Sequence, residues 1–239
     1  MQRVGTAGWS IPAAVAARFP AEGSGLERYA AVFNAVEINS SFHRPHRRAT
    51  YERWAAAVPE GFRFAVKLPK AITHEARLVN CETLLAAFAE GVGGLGNTRG
   101  PVLVQLPPSL VFDAEIAEAF FPALSAALPG AIACEPRHAS WFSPKAETSL
   151  VKHKVARVAA DPAKIQEAAE PGGWRALTYR RFHGSPRIYY SAYDPDQVAD
   201  HVASGRNAPG EVWTIYDNTA SGAATEDALT LRDMLAQTA

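Results

Sequence analysis

The sequence contains little cysteine, carries no net charge and has no long apolar run. Two cysteines, Cys81 and Cys134, occur in 239 residues, and 24 basic residues balance 24 acidic ones. The cysteines show neither CxxC spacing nor a paired-histidine motif, which argues against a disulfide framework or a zinc site and predicts two buried, reduced thiols. A neutral chain lacks the positive field with which proteins attract nucleic acids or anionic membranes, so neither is an expected partner.

No apolar stretch approaches the roughly 20 residues that a membrane-spanning helix requires. Met1-Gln2-Arg3 leads directly into an apolar segment without the pattern of a secretory signal, so the sequence predicts a cytoplasmic protein. Hydrophobic residues make up 48% of the chain, which is enough for a sizeable core. No linker or composition break divides the chain, which predicts a single domain spanning residues 1–239. No sequence feature specifies an oligomeric state.

What the sequence does contain is a repeated pairing of a short apolar run with an amphipathic helix. Most of the runs are continuously apolar rather than alternating, which is typical of parallel strands covered by helices. Between them, apolar residues recur at helical spacing, as Leu26, Tyr29, Ala30 and Phe33 do. The predicted strands are Arg3–Ala7, Ala35–Asn39, Arg63–Leu68, Pro101–Leu106, Ala131–Glu135, Val155–Ala160, Leu177–Phe182 and Glu211–Tyr216.

Eight strand–helix units predict an α/β fold, namely a single (β/α)8 TIM-type barrel, with an open doubly wound sheet as the alternative. The sixth unit is predicted to be irregular, because Pro171-Gly172-Gly173 interrupts any helix early. A GxGxxG pattern begins at Gly91, but it follows a helix and precedes a strand, the wrong order for a dinucleotide-binding turn, so no cofactor is predicted. Helix N-caps are predicted at Asn80, Asp113, Thr225 and Asp194-Pro195.

Polar groups near the strand ends are predicted to gather on one side of the barrel, because alternate residues of a strand share a face. Ligand-binding and catalytic groups of such barrels come from the C-terminal ends of the strands. The residues predicted to share this face, strand by strand from the second, are Glu37 and Asn39; Ala65, Lys67 and Pro69; Leu103, Gln105 and Pro107; Ala133, Glu135 and Arg137; Arg157, Ala159 and Asp161; Tyr179, Arg181 and His183; Thr214, Tyr216 and Asn218.

So many charged side chains in an interior favour a functional pocket, because burying an unpaired charge is costly. The alternative is a purely structural network, in which the acidic residues of these strand ends neutralise Lys67, Arg137 and Arg181.

These strand-end motifs resemble the YecE-like family, also known as domain-of-unknown-function family 72. The resemblance extends over nearly the whole chain and implies a barrel fold, but it implies no reaction. Two segments depart from the family pattern, since Ile11–Ala14 replaces aromatic residues and Tyr216–Asn218 replaces Phe-Asn-Asn, so substrate details are expected to differ. The matching segments are Gly5–Ser10, Val36–Phe42, Phe62–Lys67, Ile72–His74, Val104–Ser109, Glu135–His138, Ser140-Trp141 and Arg181–Gly184.

The three cations Lys67, Arg137 and Arg181 are predicted to hold a small phosphorylated or carboxylated molecule. Arginine presents a planar fork to such anions, and lysine adds a point charge. The alternative role of these cations is pairing with Glu37 and Glu135 inside the fold.

Candidate groups for acid–base chemistry are Glu37, Glu135, His138 and His183, because buried carboxyl groups and histidines titrate near neutral pH. The alternative for the histidines is a hydrogen-bonded structural role. Further candidates for substrate binding, with the tryptophans either stacking on a ligand or packing loops, are Asn39, Gln105, Asp161, Asn218, Trp9 and Trp141.

The favoured function is an enzyme, a metal-independent hydrolase or isomerase that uses acid–base chemistry on a small anionic substrate. The first alternative is a hydrolase that binds a divalent metal through acidic residues and histidines, which the cations in the same mouth oppose. The second alternative is a non-catalytic barrel that binds a metabolite or a nucleic acid, for which Arg47-Arg48 supplies a short basic loop.

Overall fold

The computed structural model describes residues 1–237, so the last two residues of the predicted domain, 238 and 239, lie outside the described residues. The strands are β1 (Gln2–Thr6), β2 (Ala35–Ile38), β3 (Arg63–Lys67), β4 (Arg99–Gln105), β5 (Ile132–Glu135), β6 (Val155–Arg157), β7 (Ala159–Asp161), β8 (Gly172–Gly173), β9 (Leu177–Phe182) and β10 (Glu211–Tyr216). The α-helices are α1 (Gly25–Ala30), α2 (Arg48–Ala56), α3 (Glu82–Val92), α4 (Ala114–Ala127), α5 (Pro144–Lys152), α6 (Pro195–Arg206) and α7 (Ala223–Gln237).

The strands form two sheets, in which every neighbouring pair is parallel except β6 with β8. One sheet has the order β1-β10-β9-β7, and the other has the order β2-β3-β4-β5-β6-β8. The two sheets meet where Ala7 pairs with Glu37 and where Val158, the single residue between β6 and β7, donates its N–H to the Cys134 carbonyl at 2.8 Å. The predicted α/β class with parallel strands is confirmed.

Each of the eight predicted apolar runs overlaps an observed strand, and the sixth run overlaps two, β6 and β7. After them the chain forms only a short 3-10 helix at Gln166–Ala169 and the antiparallel strand β8, rather than a full α-helix. The irregularity predicted from the Pro171–Gly173 segment is therefore present, and it leaves loop residues beside the C-terminal ends of β5 and β7.

The strand faces pack differently on their two sides. One face carries mainly small residues, such as Ala35, Ala65 and Ala133, with Tyr179 and Trp213 filling the space between them. The rings of Tyr179 and Trp213 stack 5.9 Å apart. The opposite faces carry the larger apolar residues of a second cluster, which pack under the helices. Because alternate residues share a face, the small-residue side is also the side from which Glu37, Lys67, Glu135 and Arg181 project.

Two of the predicted helix caps are present and two are not. Asp113 accepts the N–H groups of Glu115 and Ile116, and Asp194 forms a capping box with Gln197 and is followed by Pro195 at the first helical position. The predictions for Asn80 and Thr225 were wrong. The N-cap of α3 is Cys81, and Thr225 lies inside α7, where its hydroxyl donates to the Ser10 carbonyl.

Cys81 and Cys134 are both buried and unpaired, as predicted. No helix within residues 1–237 combines the length and apolar character that crossing a bilayer requires.

Candidate functional site

A fully buried arginine, Arg181 of β9, lies at the centre of the polar groups that the strands bring together. Its Nε donates to Glu37 Oε2 at 3.0 Å, and its Nη2 donates to Glu37 Oε1 and Asp217 Oδ2, both at 2.8 Å. Its Nη1 donates to Glu135 Oε2 at 2.6 Å. The guanidinium therefore connects β9 with the ends of β2, β5 and β10 through charge-assisted hydrogen bonds.

This arrangement explains how so much charge remains stable away from water. Burial alone would lower the pKa of Arg181, but the surrounding Glu37, Asp217 and Glu135 carboxylates hold that pKa well above its usual range. Burial alone would raise the pKa of Glu135, but Arg181 and His183 hold it well below its usual range. Burial alone would also raise the pKa of Asp217, but Arg181 and His183 lower it, with Arg181 having the larger effect. The ions compensate each other, which removes much of the cost of burying them.

Glu37 is enclosed by the fold and forms its hydrogen bonds there. Its side chain is completely buried, with Oε2 shared between Arg181 and the Tyr179 hydroxyl, which donates at 2.9 Å. Both carboxylate oxygens are thus used inside the fold, and Glu37 holds Arg181 and Tyr179 in place.

Glu135 connects the buried cluster to the surface of the site. Its Oε1 accepts hydrogen bonds from Gln105 Nε2 at 3.1 Å and from Arg137 Nε at 2.9 Å. The same oxygen lies 3.6 Å from His183 Nε2. The Arg137 side chain is 30% exposed, whereas that of Glu135 is buried. Arg137 therefore places its positive charge at a solvent-accessible wall while it remains paired with the buried cluster.

His183 is oriented by Asp217, which interacts with His183 Nδ1 at 3.0 Å. The other ring nitrogen, Nε2, is buried and has no hydrogen-bond partner among residues 1–237. Burial alone would lower the pKa of this imidazole, but the hydrogen bond to Asp217 and the nearby Glu135 carboxylate, 3.6 Å from Nε2, raise it above its ordinary value. A carboxylate that holds one nitrogen while the other stays free is an arrangement suited to proton transfer.

Lys67, at the end of β3, is the one cation of this group that the described part of the chain provides with no carboxylate partner within ion-pair distance. Its side chain is 94% buried, its Nζ lies 4.2 Å from the centre of the Phe42 ring, and no hydrogen bond holds it. Burial, reinforced by Arg181, lowers the pKa of Lys67 to about 8. Burial and Lys67 in turn lower the pKa of His74. A buried ammonium group in this state is available to a ligand.

Two cavities lie over the cluster. The first, here called the mouth cavity, has a volume of about 510 Å³ and is lined by Asn39, Phe42, His43, Lys67, His74, Gln105, Arg137, Tyr189, Tyr190, Asp217, Thr219 and Ala220. The second, here called the side cavity, has a volume of about 260 Å³ and is lined by Glu135, Pro136, Arg137, Ala160, Pro162, Ala163, Lys164, Ile165, Ala168, His183, Ile188 and Tyr189. Arg137 and Tyr189 belong to both.

Several residues predicted for the site lie at or beside these cavities, namely Asn39, Lys67, Gln105, Glu135, Arg137 and His183. Five others have different surroundings. Trp9 packs edge-on against Trp54, and the buried Trp141 donates its indole N–H to the Leu110 carbonyl. His138 Nδ1 accepts the Ser140 N–H at the start of a 3-10 helix. These three side chains stabilise loops.

Asp161 and Asn218, the other two, point away from the cluster, because the alternation was assigned to the wrong face of two strands. Asp161 accepts a hydrogen bond from the Tyr193 hydroxyl at 2.6 Å, and Asn218 donates to Asp227 at 2.6 Å. The residues of these strands that pack in the small-residue cluster are Ala156, Val158, Trp213 and Ile215. Arg157 and Thr214 are therefore on the helix side, where Arg157 pairs with Glu147 and Thr214 accepts from Arg180.

The same error caused Asp217 to be missed, although it follows β10 directly and contacts both Arg181 and His183. The signal that locates it is Trp213, since a residue four positions further along an extended chain shares its face. His74 and the loop residues Tyr189 and Tyr190 were also missed, because they come from segments outside the strands.

Comparison with known proteins places these residues in a family context. The family model described as "Protein of unknown function DUF72" matches residues 3–239. The UPF0759 protein YecE of Escherichia coli (strain K12) is 34% identical over 82 residues, which are 34% of this chain and only 30% of the YecE length. The UPF0759 protein YunF of Bacillus subtilis (strain 168) is 24% identical over 270 residues, covering 97% of this chain and 94% of YunF.

Solved structures agree with this result at the level of the fold. A DUF72 family protein from Enterococcus faecalis V583 superposes with a TM-score of 0.80 at 21% identity, covering 99% of this chain and 96% of that one. A DUF72 family protein from Thermotoga maritima MSB8 superposes with a TM-score of 0.79 at 23% identity, covering 99% of both chains. The resemblance drawn from the strand-end motifs is confirmed.

Replacing the central arginine by methionine, Arg181→Met, is expected to lower the free energy of unfolding at pH 7 by about 3–5 kcal/mol, because three carboxylates lose their buried partner. Between pH 7 and pH 5 the loss should become smaller, since carboxyl groups without Arg181 take up protons more readily. In the unmodified chain the lowered pKa values of Glu135 and Asp217 act in the opposite sense, so stability is lost only below about pH 4. Urea unfolding at several pH values measures both effects.

Arg53 provides the matched control, because it is an exposed arginine on α2. Arg53→Met should change the unfolding free energy by less than about 0.5 kcal/mol. A loss below about 1 kcal/mol for Arg181→Met at pH 7 would contradict the central role given to this residue.

Proposed function

The chain belongs to the DUF72 family of proteins of unknown function, and we propose that it binds a small phosphorylated or carboxylated molecule in the mouth cavity and transforms it by acid–base chemistry. The observation that carries this proposal is the buried Lys67 side chain beside the cavity, for which the described residues supply no carboxylate within ion-pair distance. An anionic ligand would compensate this charge.

We also propose that the two sheets close into one eight-stranded barrel within a single domain. In this barrel β6 and β7 together form the sixth strand, and the short antiparallel strand β8 is not counted. The pairing of Ala7 with Glu37, and the Gly8 N–H donated to the Glu37 carbonyl at 2.8 Å, support closure between β1 and β2. The bond from Val158, between β6 and β7, to Cys134 of β5 supports continuity of the two sheets on the other side, with β6 and β7 acting as one strand. In a closed barrel the C-terminal strand ends surround one opening, which is where barrels of this type bind ligands.

The distribution of charge favours an anion over a cation. The carboxylates of Glu37, Glu135 and Asp217 all engage Arg181. Glu135 also pairs with Arg137, and Asp217 also contacts His183, so none of the three lies within ion-pair distance of Lys67. Lys67 and the partly exposed Arg137 face the mouth cavity. A phosphate or carboxylate group between them would accept hydrogen bonds from both side chains.

His183 is the group proposed to exchange a proton with the ligand. Asp217 holds one ring nitrogen, and the other has no hydrogen-bond partner in residues 1–237. Because its pKa is raised, this imidazole is suited to act as a general acid near neutral pH. Glu37, by contrast, is a positioning residue, since both of its oxygens are used inside the fold.

A divalent-metal site fits this geometry less well. The guanidinium of Arg181 occupies the position between the three carboxylates, where it already satisfies the oxygens that a cation would need. Residues 1–237 contain no group of three or more His, Cys, Asp or Glu side chains arranged to hold a metal ion. The anionic group of the substrate is therefore proposed to bind between Lys67 and Arg137.

Anion binding is tested with a thermal-shift panel at pH 7 that compares phosphorylated and carboxylated metabolites with their neutral counterparts. Anions that fit should raise the melting temperature, and Lys67→Met should abolish the rise because it removes the ammonium group. Without ligand, Lys67→Met should be at least as stable as the unmodified chain, since a buried charge without a partner is replaced by an apolar group of similar size. Affinity should fall as the pH rises through about 8, where Lys67 loses its proton.

Lys145, an exposed lysine on α5, provides the matched control, and Lys145→Met should retain the full ligand response. Equal responses of the two lysine variants would contradict the assignment of the anion to Lys67. If anions bind but are not converted to product, the result would support the anion site and contradict the proposed acid–base step.

The protonation of His183 is measured by nitrogen-15 NMR over a pH titration. Its imidazole should titrate above the ordinary value of about 6.5, and Asp217→Asn should lower that pKa because the carboxylate that stabilises the protonated ring is gone. His201 serves as the internal reference, because burial lowers its pKa to about 3 and it should stay neutral down to pH 5. A neutral His183 at pH 6 in the unmodified chain would contradict its role as the acid.

A further inference from the structure

The side cavity differs in chemistry from the mouth cavity next to it. Much of its wall is apolar, formed by Pro162, Ile165, Ala168 and Ile188 from the irregular segment after β7 and from the loop after β9. Polar and aromatic side chains surround Lys67 in the mouth cavity, whereas the polar lining of the side cavity, namely Glu135, Arg137, Lys164 and His183, lies beside this apolar wall. A space of this kind is suited to an apolar group that carries one polar atom.

The His183 ring lies between Asp217, a residue of the mouth cavity, and Glu135, a residue of the side cavity. Nδ1 interacts with Asp217, which lines the mouth cavity. Nε2 lies on the opposite edge, 3.6 Å from Glu135 Oε1, and Glu135 lines the side cavity. The His183 residue is 95% buried, and its Nε2 has no hydrogen-bond partner among the described residues. His183 itself lines the side cavity and forms part of its polar lining.

The two cavities are neighbours across a shared wall of Arg137 and Tyr189. Tyr189 is 39% exposed and belongs to the loop after β9, and its ring packs edge-on against His183 at 5.7 Å. Only the two side chains of this wall line both cavities, so one molecule that rests against Arg137 and Tyr189 can extend into both.

We infer that the ligand is an amphipathic anion, whose phosphate or carboxylate lies in the mouth cavity at Lys67 and whose apolar, ring-sized portion fills the side cavity beside His183. This inference rests on the proposed function and narrows its substrate class. Simple anions such as inorganic phosphate would occupy the mouth cavity alone.

The size of the side cavity agrees with this assignment. A cavity of roughly 150 Å³ is enough to hold benzene in a protein interior. The side cavity, at about 260 Å³, therefore has room for one aromatic or alicyclic ring with substituents. Burying such a ring should strengthen binding by roughly tenfold or more over the anionic group alone.

The experiment compares inorganic phosphate with phenyl phosphate by isothermal titration calorimetry. In the unmodified chain, phenyl phosphate should bind at least about tenfold more tightly than inorganic phosphate. In Ala163→Phe, a variant that fills the side cavity, the advantage should disappear while inorganic phosphate still binds. Ala199→Phe, at an exposed position on α6, is the matched control and should keep the advantage.

The outcomes separate the two proposals. If inorganic phosphate binds but phenyl phosphate binds no more tightly, the amphipathic ligand is wrong and the anion site stands. If the advantage persists in Ala163→Phe, the ring lies elsewhere and the side-cavity assignment is wrong. If neither anion binds, the proposed function fails and this inference fails with it. Should Ala163→Phe not fold, Ala163→Leu is the smaller replacement, and the comparison in the unmodified chain remains decisive without either variant.

Discussion

The burial of one guanidinium group is the constraint on which the rest of this site depends. Arg181 is excluded from water, and such a charge persists in a protein only when its donors are matched by acceptors. Glu37, Glu135 and Asp217 provide that match from three other strand ends. One arginine among three carboxylates leaves an excess of negative charge. This excess explains why Arg137 pairs with Glu135 and why the pKa of His183 is raised.

The polar side chains of the cluster therefore fall into two classes: those whose hydrogen-bond or ion-pair partners lie inside the fold, and those that lack such a partner among the described residues. Glu37 is held on both oxygens and stabilises the arrangement, although its type suggested a catalytic acid. Lys67 and His183 Nε2 are desolvated without a matching partner in the part of the chain that the structure describes. Unsatisfied polar atoms are costly to fold, and they are rare in native proteins, so they indicate where a ligand completes the structure. Lys67 lines the mouth cavity, and His183 lines the side cavity.

The sequence was informative where a strand is long, regular and bounded by clear polar ends. Alternation correctly placed Glu37, Lys67, Glu135 and Arg181 on one side, because each lies in a strand whose other inward residues are small or apolar. It failed for β7 and β10. Both faces of β10 are buried, so hydrophobicity alone does not show which face is directed towards the cluster. Trp213 occupies that face because Gly100 leaves room for its ring. A Cβ atom on Gly100 would lie 2.6 Å from the Trp213 ring. The partner of each ion pair depends on three-dimensional neighbours, which alternation along one strand does not specify.

The central claim is that Arg181, Arg137 and His183 engage the carboxylates of the buried cluster and that Lys67 is left for an external anion. Anomalous diffraction from crystals soaked in tungstate, a heavy phosphate analogue, tests this claim most directly. The account predicts an anomalous peak in the mouth cavity, within hydrogen-bond distance of Lys67 Nζ, and none beside Arg181. An empty mouth cavity in crystals that bind tungstate at surface arginines would contradict it.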